Sequence, residues 1–156
     1  MKGAFVAIIA MLPSLLHASM GSMVFKGSGT WKDSDGNSGY YKSLTETSSM
    51  PDGSLRIFHS VQTEGTEHQS VSIFRADENG TLRIFNTDGA EIGTGYCFTY
   101  DGKKVCHTDT TPEAGVSVEC TKSLGIDGFH EMGSSRDGGG HRTMWTGYSR
   151  RIYPAK

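Results

Sequence analysis

Three cysteines, four prolines and two tryptophans are spread over 156 residues, and each scarcity removes a class of protein. So few cysteines cannot build the multi-bridge framework of a small disulfide scaffold. Sparse proline, with glycine frequent but without a three-residue period, excludes collagen-like and low-complexity tracts. A formal net charge of −2, both signs interleaved, leaves no basic footprint for nucleic acid. Catalytic signatures are missing too. There is no Gly-x-Ser-x-Gly elbow, and Glu113, Glu119, Asp127 and Glu131 show no spacing that would pair them as acid and base. The tract Asp137-Gly138-Gly139-Gly140 lacks the lysine and helix of a phosphate loop and reads as a hairpin turn.

What is present starts with a leader. Lys2 precedes an apolar run from Ala4 to Leu12, Pro13 breaks it, and small residues follow at Ala18, Ser19 and Gly21. The run is too short to span a bilayer permanently. Residues 1–19 are therefore expected to be a signal peptide, cleaved between 18 and 21, with export to the periplasm or the extracellular space. Residues 20–156 suffice for one domain and not two. No later run is apolar enough for a transmembrane anchor.

Down that domain runs a ladder of X-Gly dipeptides: Asp35-Gly36, Asp52-Gly53, Glu64-Gly65, Asn79-Gly80, Asp88-Gly89, Asp101-Gly102, Ala114-Gly115, Asp127-Gly128 and Asp137-Gly138. The gaps between them run from nine to seventeen residues, one strand and one turn each. Asn-Gly and Asp-Gly suit two-residue hairpin loops, whose central residues need positive φ. A long meander hides its edges by closing, so the fold class is all-β, an antiparallel up-and-down β-barrel of about 8–10 strands. Ten strands can be drawn, from 24–32 to 141–153. Alternation puts Phe25, Gly27, Gly29 and Trp31 on one face of the first. The same logic turns inward Leu55, Ile57, His59 and Val61; Leu82 and Ile84; Tyr96, Phe98 and Tyr100; and Val105 with His107.

A two-residue loop at Asp101-Gly102 opposes Tyr100 to Lys103, Thr99 to Lys104, Phe98 to Val105 and Cys97 to Cys106. In an exported protein this register favours a Cys97–Cys106 disulfide, although the Cα separation of about 4.5 Å lies at the short edge of the disulfide range. The rival pairing is Cys106 with Cys120. Cys120 alternates with Val116 and Val118 and reads as a small buried hydrophobe. Asp33, Asp35 and Asn37 fall at calcium-loop spacing. The glycine and bidentate glutamate positions hold Ser38 and Leu44 instead, so the segment reads as a polar hairpin. His59, His68, His107, His130 and His141 show no zinc-pair spacing, and no metal is expected.

Gly29-Thr30-Trp31 on the first strand, followed by a meander and a basic last strand, resembles the calycin superfamily of lipocalin-like and fatty-acid-binding barrels. The resemblance implies that Trp31 closes one barrel end under a cation from Arg150 or Arg151. The lipocalin Thr-Asp-Tyr motif and the residues for a C-terminal helix are lacking. Around ten strands enclose room for one small ligand. The expected function is binding of a small, largely apolar molecule in the lumen. Phe25, Tyr96, Phe98, Tyr100, Val105 and Trp145 would form the walls, and His59 and His107 would be polar contacts. No cofactor is expected. The alternatives are a haem-binding or redox barrel that uses His59 or His107 as iron ligand, and a ligand-free interaction or inhibitor module.

Overall fold

The structure, a computed structural model, describes residues 22–153, so the leader expected at 1–19 lies outside the described residues. Ten strands follow one another: β1 (Met23–Asp33), β2 (Ser38–Ser49), β3 (Leu55–Thr63), β4 (Thr66–Ala76), β5 (Leu82–Phe85), β6 (Glu91–Tyr100), β7 (Lys103–Glu113), β8 (Val116–Leu124), β9 (Gly128–Arg136) and β10 (Arg142–Ile152). Each pairs antiparallel with its neighbours in sequence, and β1 pairs with β10 to close the barrel. The all-β class, the meander and the closure are as the turn ladder predicts.

Two kinds of turn account for six of the nine hairpins. Asp101 and Gly102 both have positive φ, 48° and 70°, and make the two-residue loop with the predicted register. Five other turns are longer than the two-residue form. In each the glycine N–H donates to a backbone carbonyl three residues earlier: Gly36 to Asp33, Gly53 to Met50, Gly80 to Asp77, Gly89 to Asn86 and Gly140 to Asp137. Only the glycine is left-handed there. Where the first residue is Asp or Asn, its side-chain oxygen accepts two further backbone N–H groups, so that Asp77 caps Asn79 and Thr81.

Inside, two apolar clusters fill the barrel. One gathers Phe25, Leu55, Ile57, Phe74, Leu82, Ile84, Cys106 and Phe129; the other gathers Tyr41, Val61, Val118, Cys120 and Trp145, with Trp31 packed against it. Val61, Ile84, Val118 and Phe129 have essentially no accessible surface, which leaves no room for a water-sized molecule beside them. The middle of the lumen is therefore occupied by the protein's own side chains.

One wall reverses the expected facing. On β6 the interior residues are Gly93, Gly95 and Cys97, while Tyr96, Phe98 and Tyr100 point outward, 54%, 46% and 71% exposed. On β7 Cys106, Thr108 and Thr110 are buried, and the lumen positions expected for Val105 and His107 are overturned with them. The reason is steric. A Cβ on Gly95 would lie 2.9 Å from Thr108 Cγ2, and one on Gly93 2.6 Å from Thr110 Cγ2. Strand-to-strand crowding there leaves no interior space for a ring.

Candidate functional site

The interior is organised by one row of cross-strand partners that runs most of the way round the barrel: Cys97, Cys106, Lys122, Glu131, Gly147, Gly29 and Tyr41. The two glycines in it are required by the tyrosine. A Cβ on Gly147 would meet Tyr41 Oη at 2.2 Å, and one on Gly29 would meet the ring at 2.6 Å. With that floor bare, Tyr41 lies along the row and donates to Glu131 Oε1 at 2.9 Å. Glu131 Oε2 lies 2.7 Å from Lys122 Nζ, both side chains 1% exposed, and Nζ stands 4.3 Å over the Phe129 ring. Burial alone would raise the Glu131 pKa. Attraction from Lys122 and hydrogen bonds from Lys122 and Tyr41 outweigh it and hold the carboxyl below its usual range. Burial and the neighbouring carboxylate push the Tyr41 phenol up.

His59 faces the same belt. Its Nδ1 bonds Thr45 Oγ1 at 2.9 Å, and burial, reinforced by Lys122, lowers its pKa to about 4, so the ring is neutral. His59, Phe25 and Trp145 are interior residues as expected, but packed ones. His107 lies on the outer wall, against Thr121 at 2.9 Å and Asp109 at 3.2 Å, where it cannot ligate an iron held in the lumen.

The expected disulfide is also overturned. Cys97 and Cys106 oppose each other as predicted, yet both are thiols, as is Cys120. The opposed thiols share a hydrogen bond that lowers the Cys97 pKa and raises that of Cys106. The register brings the sulfurs together, but a cross-strand pair at the short edge of disulfide geometry is not favoured to close. Burial pushes the Cys120 thiol up to about 12, which makes it inert.

Trp31 occupies the barrel end formed by the β1–β2, β3–β4 and β9–β10 turns. Its partner across β10 is Trp145, whereas Arg151 is opposite Phe25. Six residues of strand, about 20 Å, separate Trp31 from that position. The arginine closure is thus corrected: Arg150 is exposed, and Arg151 lies 4.9 Å over Tyr153 at the other end.

Three accessible hollows among the described residues lie at the Trp31 end. One, of about 480 Å³, is lined by Trp31, Lys32, Gly39, Tyr40, Met144 and Trp145 among others. A second, of about 530 Å³, is bounded by Trp31, Asn37, Tyr40, Thr63 and Glu64, and a third, of about 600 Å³, runs along the outer wall past Tyr40, Lys42 and Gln62. Tyr40, 83% exposed, is common to all three. Gly39 makes this end possible, since a Cβ there would lie 2.9 Å from the Trp31 indole nitrogen. Nothing in the spacing of residues points to Tyr40; its adjacency to Gly39, opposite Trp31, is the one signal available in the sequence.

The rim beside these hollows carries Asp33, Asp35 and His141, the one group of potential metal ligands among the described residues. Asp33 already accepts the Asp35 and Asn37 N–H groups and the Asn37 amide, which holds its carboxyl below the usual range. The imidazole lies between the carboxylates, Nε2 3.7 Å from Asp33 and Nδ1 3.3 Å from Asp35, and so clips the β9–β10 turn to the β1–β2 turn.

Among the described residues no helix is long and apolar enough to cross a membrane. The outer face of β1 to β3 carries exposed Lys26, Lys32, Lys42, Glu46 and Arg56, charges that a lipid-facing barrel wall disfavours.

No family model and no curated protein matches this sequence. Among solved structures, an AttH-like protein from Nitrosomonas europaea aligns over 94% of this chain and 57% of its own, at 11% identity and a TM-score of 0.35. The S-type phycobiliprotein lyase CPES from Guillardia theta aligns over 93% of this chain and 95% of its own, at 14% identity and a TM-score of 0.66, so the two chains share a fold.

Proposed function

We propose that this chain is a small-molecule-binding barrel whose ligand seats at the Trp31 end, against Trp31, Tyr40 and Met144, and not in the filled middle of the lumen. The observation that carries this reading is the convergence of three hollows of about 480, 530 and 600 Å³ on Tyr40. Tyr40 and Met144, with the part-exposed Trp31 beside them, provide an apolar wall, while Asn37 and Glu64 offer a polar acceptor edge, a combination suited to an amphipathic ligand. The shared fold with a phycobiliprotein lyase makes open-chain tetrapyrroles a sensible member of the first test panel, beside haemin and fatty acids. We infer also that residues 1–19 are removed on export, which the intact mass of the exported protein reads.

The test uses the protein's own reporters. Both tryptophans, Trp31 and Trp145, line the first hollow. A ligand bound there quenches the Trp31 share of the indole emission saturably, and Tyr40→Ala weakens the apparent affinity about fivefold, ~1 kcal/mol. Native mass spectrometry of the same samples should show a ligand adduct that unfolding releases. Absence of saturable quenching and of any adduct across the panel overturns the reading.

A further inference from the structure

On β6 the usual amphipathic order is inverted. Gly93 and Gly95 face the lumen, and the strand's three rings face solvent. Tyr96 stacks on Phe98 with ring centres 6.2 Å apart, and His107 from β7 leans on Tyr96 at 5.5 Å. Lys103, Val105, His107 and Asp109 continue the same outer surface on β7, opposite Tyr100, Phe98, Tyr96 and Thr94. At their observed exposure the three rings alone present about 350 Å² of surface. A contiguous apolar patch of that size on an outer wall marks an interaction site.

The charges at its two ends say what covers it. Lys103 lies at one end and Asp109 at the other; both are exposed, and they stand in the first and last of four outward rows. A two-fold axis in the plane of the patch, between the Tyr96–His107 row and the Phe98–Val105 row, reverses the order of rows. It lays Phe98 of one copy on Tyr96 of the other, Val105 on His107, and Lys103 on Asp109, twice. A surface that matches itself in both apolar and charged groups is what an isologous contact needs. We propose that the chain forms a homodimer through the outer face of β6 and β7. A standard interface takes about 800 Å² from each partner, and the rings supply nearly half, so a reversible dimer is expected. This contact is independent of the ligand-binding reading, because none of its residues lines the Trp31-end hollows.

Sedimentation equilibrium of the full chain between about 5 and about 500 µM reads it directly, the mass rising from one copy to two. Phe98→Glu, at an outward position that leaves the fold's circular dichroism unchanged, raises the dissociation constant at least tenfold. Lys103→Asp and Asp109→Lys each weaken the dimer about fivefold, and the double exchange restores it to within about twofold. A monomer throughout the range, a dimer indifferent to Phe98→Glu, or single exchanges that the double does not rescue would each overturn the proposal.

Discussion

Interior glycines line two walls of this barrel, and the walls use them in opposite ways. Along β1, β9 and β10, Gly29, Gly133 and Gly147 are floors for rings from elsewhere: Tyr41 covers the first and third, and the Trp145 ring lies over the second. Along β6, Gly93 and Gly95 are covered by the methyl groups of Thr110 and Thr108, and the rings of that strand are outside. The same residue type therefore marks either an aromatic-filled or an aromatic-free stretch of core. Which one applies depends on what stands across the ladder, not on alternation within the strand.

The largest effect that would break this contrast is on the row that Gly29 and Gly147 make possible. Lys122→Met leaves Glu131 buried without its counter-ion, and urea unfolding should show a loss of about 3–5 kcal/mol. Lys122→Met with Glu131→Leu should recover most of that loss, since an apolar pair of similar volume is tolerated where a lone charge is not. Equal instability of the double and single variants would mean that the ion pair itself, and not the stranded charge, sets the cost.

The strands and their closure were legible because turn chemistry and strand length are local. All ten predicted segments overlap the observed ones, and the Asp101-Gly102 loop set the β6–β7 register. What was not legible was non-local. Alternation puts Tyr96, Phe98 and Tyr100 on one face of their strand without fixing which face is inside, and only the positions of Thr108 and Thr110 across the ladder show that no ring fits there. Arg151 could be placed on the last strand but not along it until the β1–β10 register was known. Lys122 and Glu131 carry no spacing signal at all, as they meet only because Leu124 pairs with Phe129 at the hairpin above them.

Acid should act on the same belt. His59 titrates at about 4 in the fold against 6.5 unperturbed, so folding favours the neutral ring. That contribution is fully present above pH 6.5 and is lost as pH falls toward 4, about 3 kcal/mol in all. Glu131, whose pKa is lowered, adds stability above its unfolded value and loses it below, so both groups act with the same sign. Unfolding midpoints at pH 7.5 and 4.5 should differ clearly. In His59→Gln the slope between pH 6.5 and 4.5 should flatten, and an unchanged slope would remove His59 as its source.

Steric closure on the two glycine walls gives a smaller and more pointed test. Gly147→Ala pushes a methyl into the Tyr41 hydroxyl and against the Ser28 carbonyl, at 2.2 and 2.9 Å, for a loss of about 1–3 kcal/mol. Tyr41→Phe in the same chain should make the combined loss less than additive, because the hydroxyl is the nearer clash. Gly95→Ala is opposed mainly by the His107 carbonyl at 2.6 Å, so its cost should be blind to Tyr41. Coupling of Gly95→Ala to Tyr41→Phe would erase the distinction between the walls.

The smallest expected effect sharpens the comparison most. Tyr96 and Phe129 are both rings on strands of this barrel, but Phe129 is buried against Phe25 with centroids 5.4 Å apart and Tyr96 is outside. Phe129→Ala should cost about 3–5 kcal/mol of unfolding free energy. Tyr96→Thr, measured at a concentration low enough to dissociate a reversible self-contact, should stay within about 0.5 kcal/mol of the parent. Threonine keeps strand propensity at that position, so any larger loss would have to come from packing of the ring against the folded wall. Such a loss would make Tyr96 part of a second, external core shared with Phe98 and His107. In that event β6 would be anchored from both sides, and the aromatic face would be held by the monomer instead of being left for a partner.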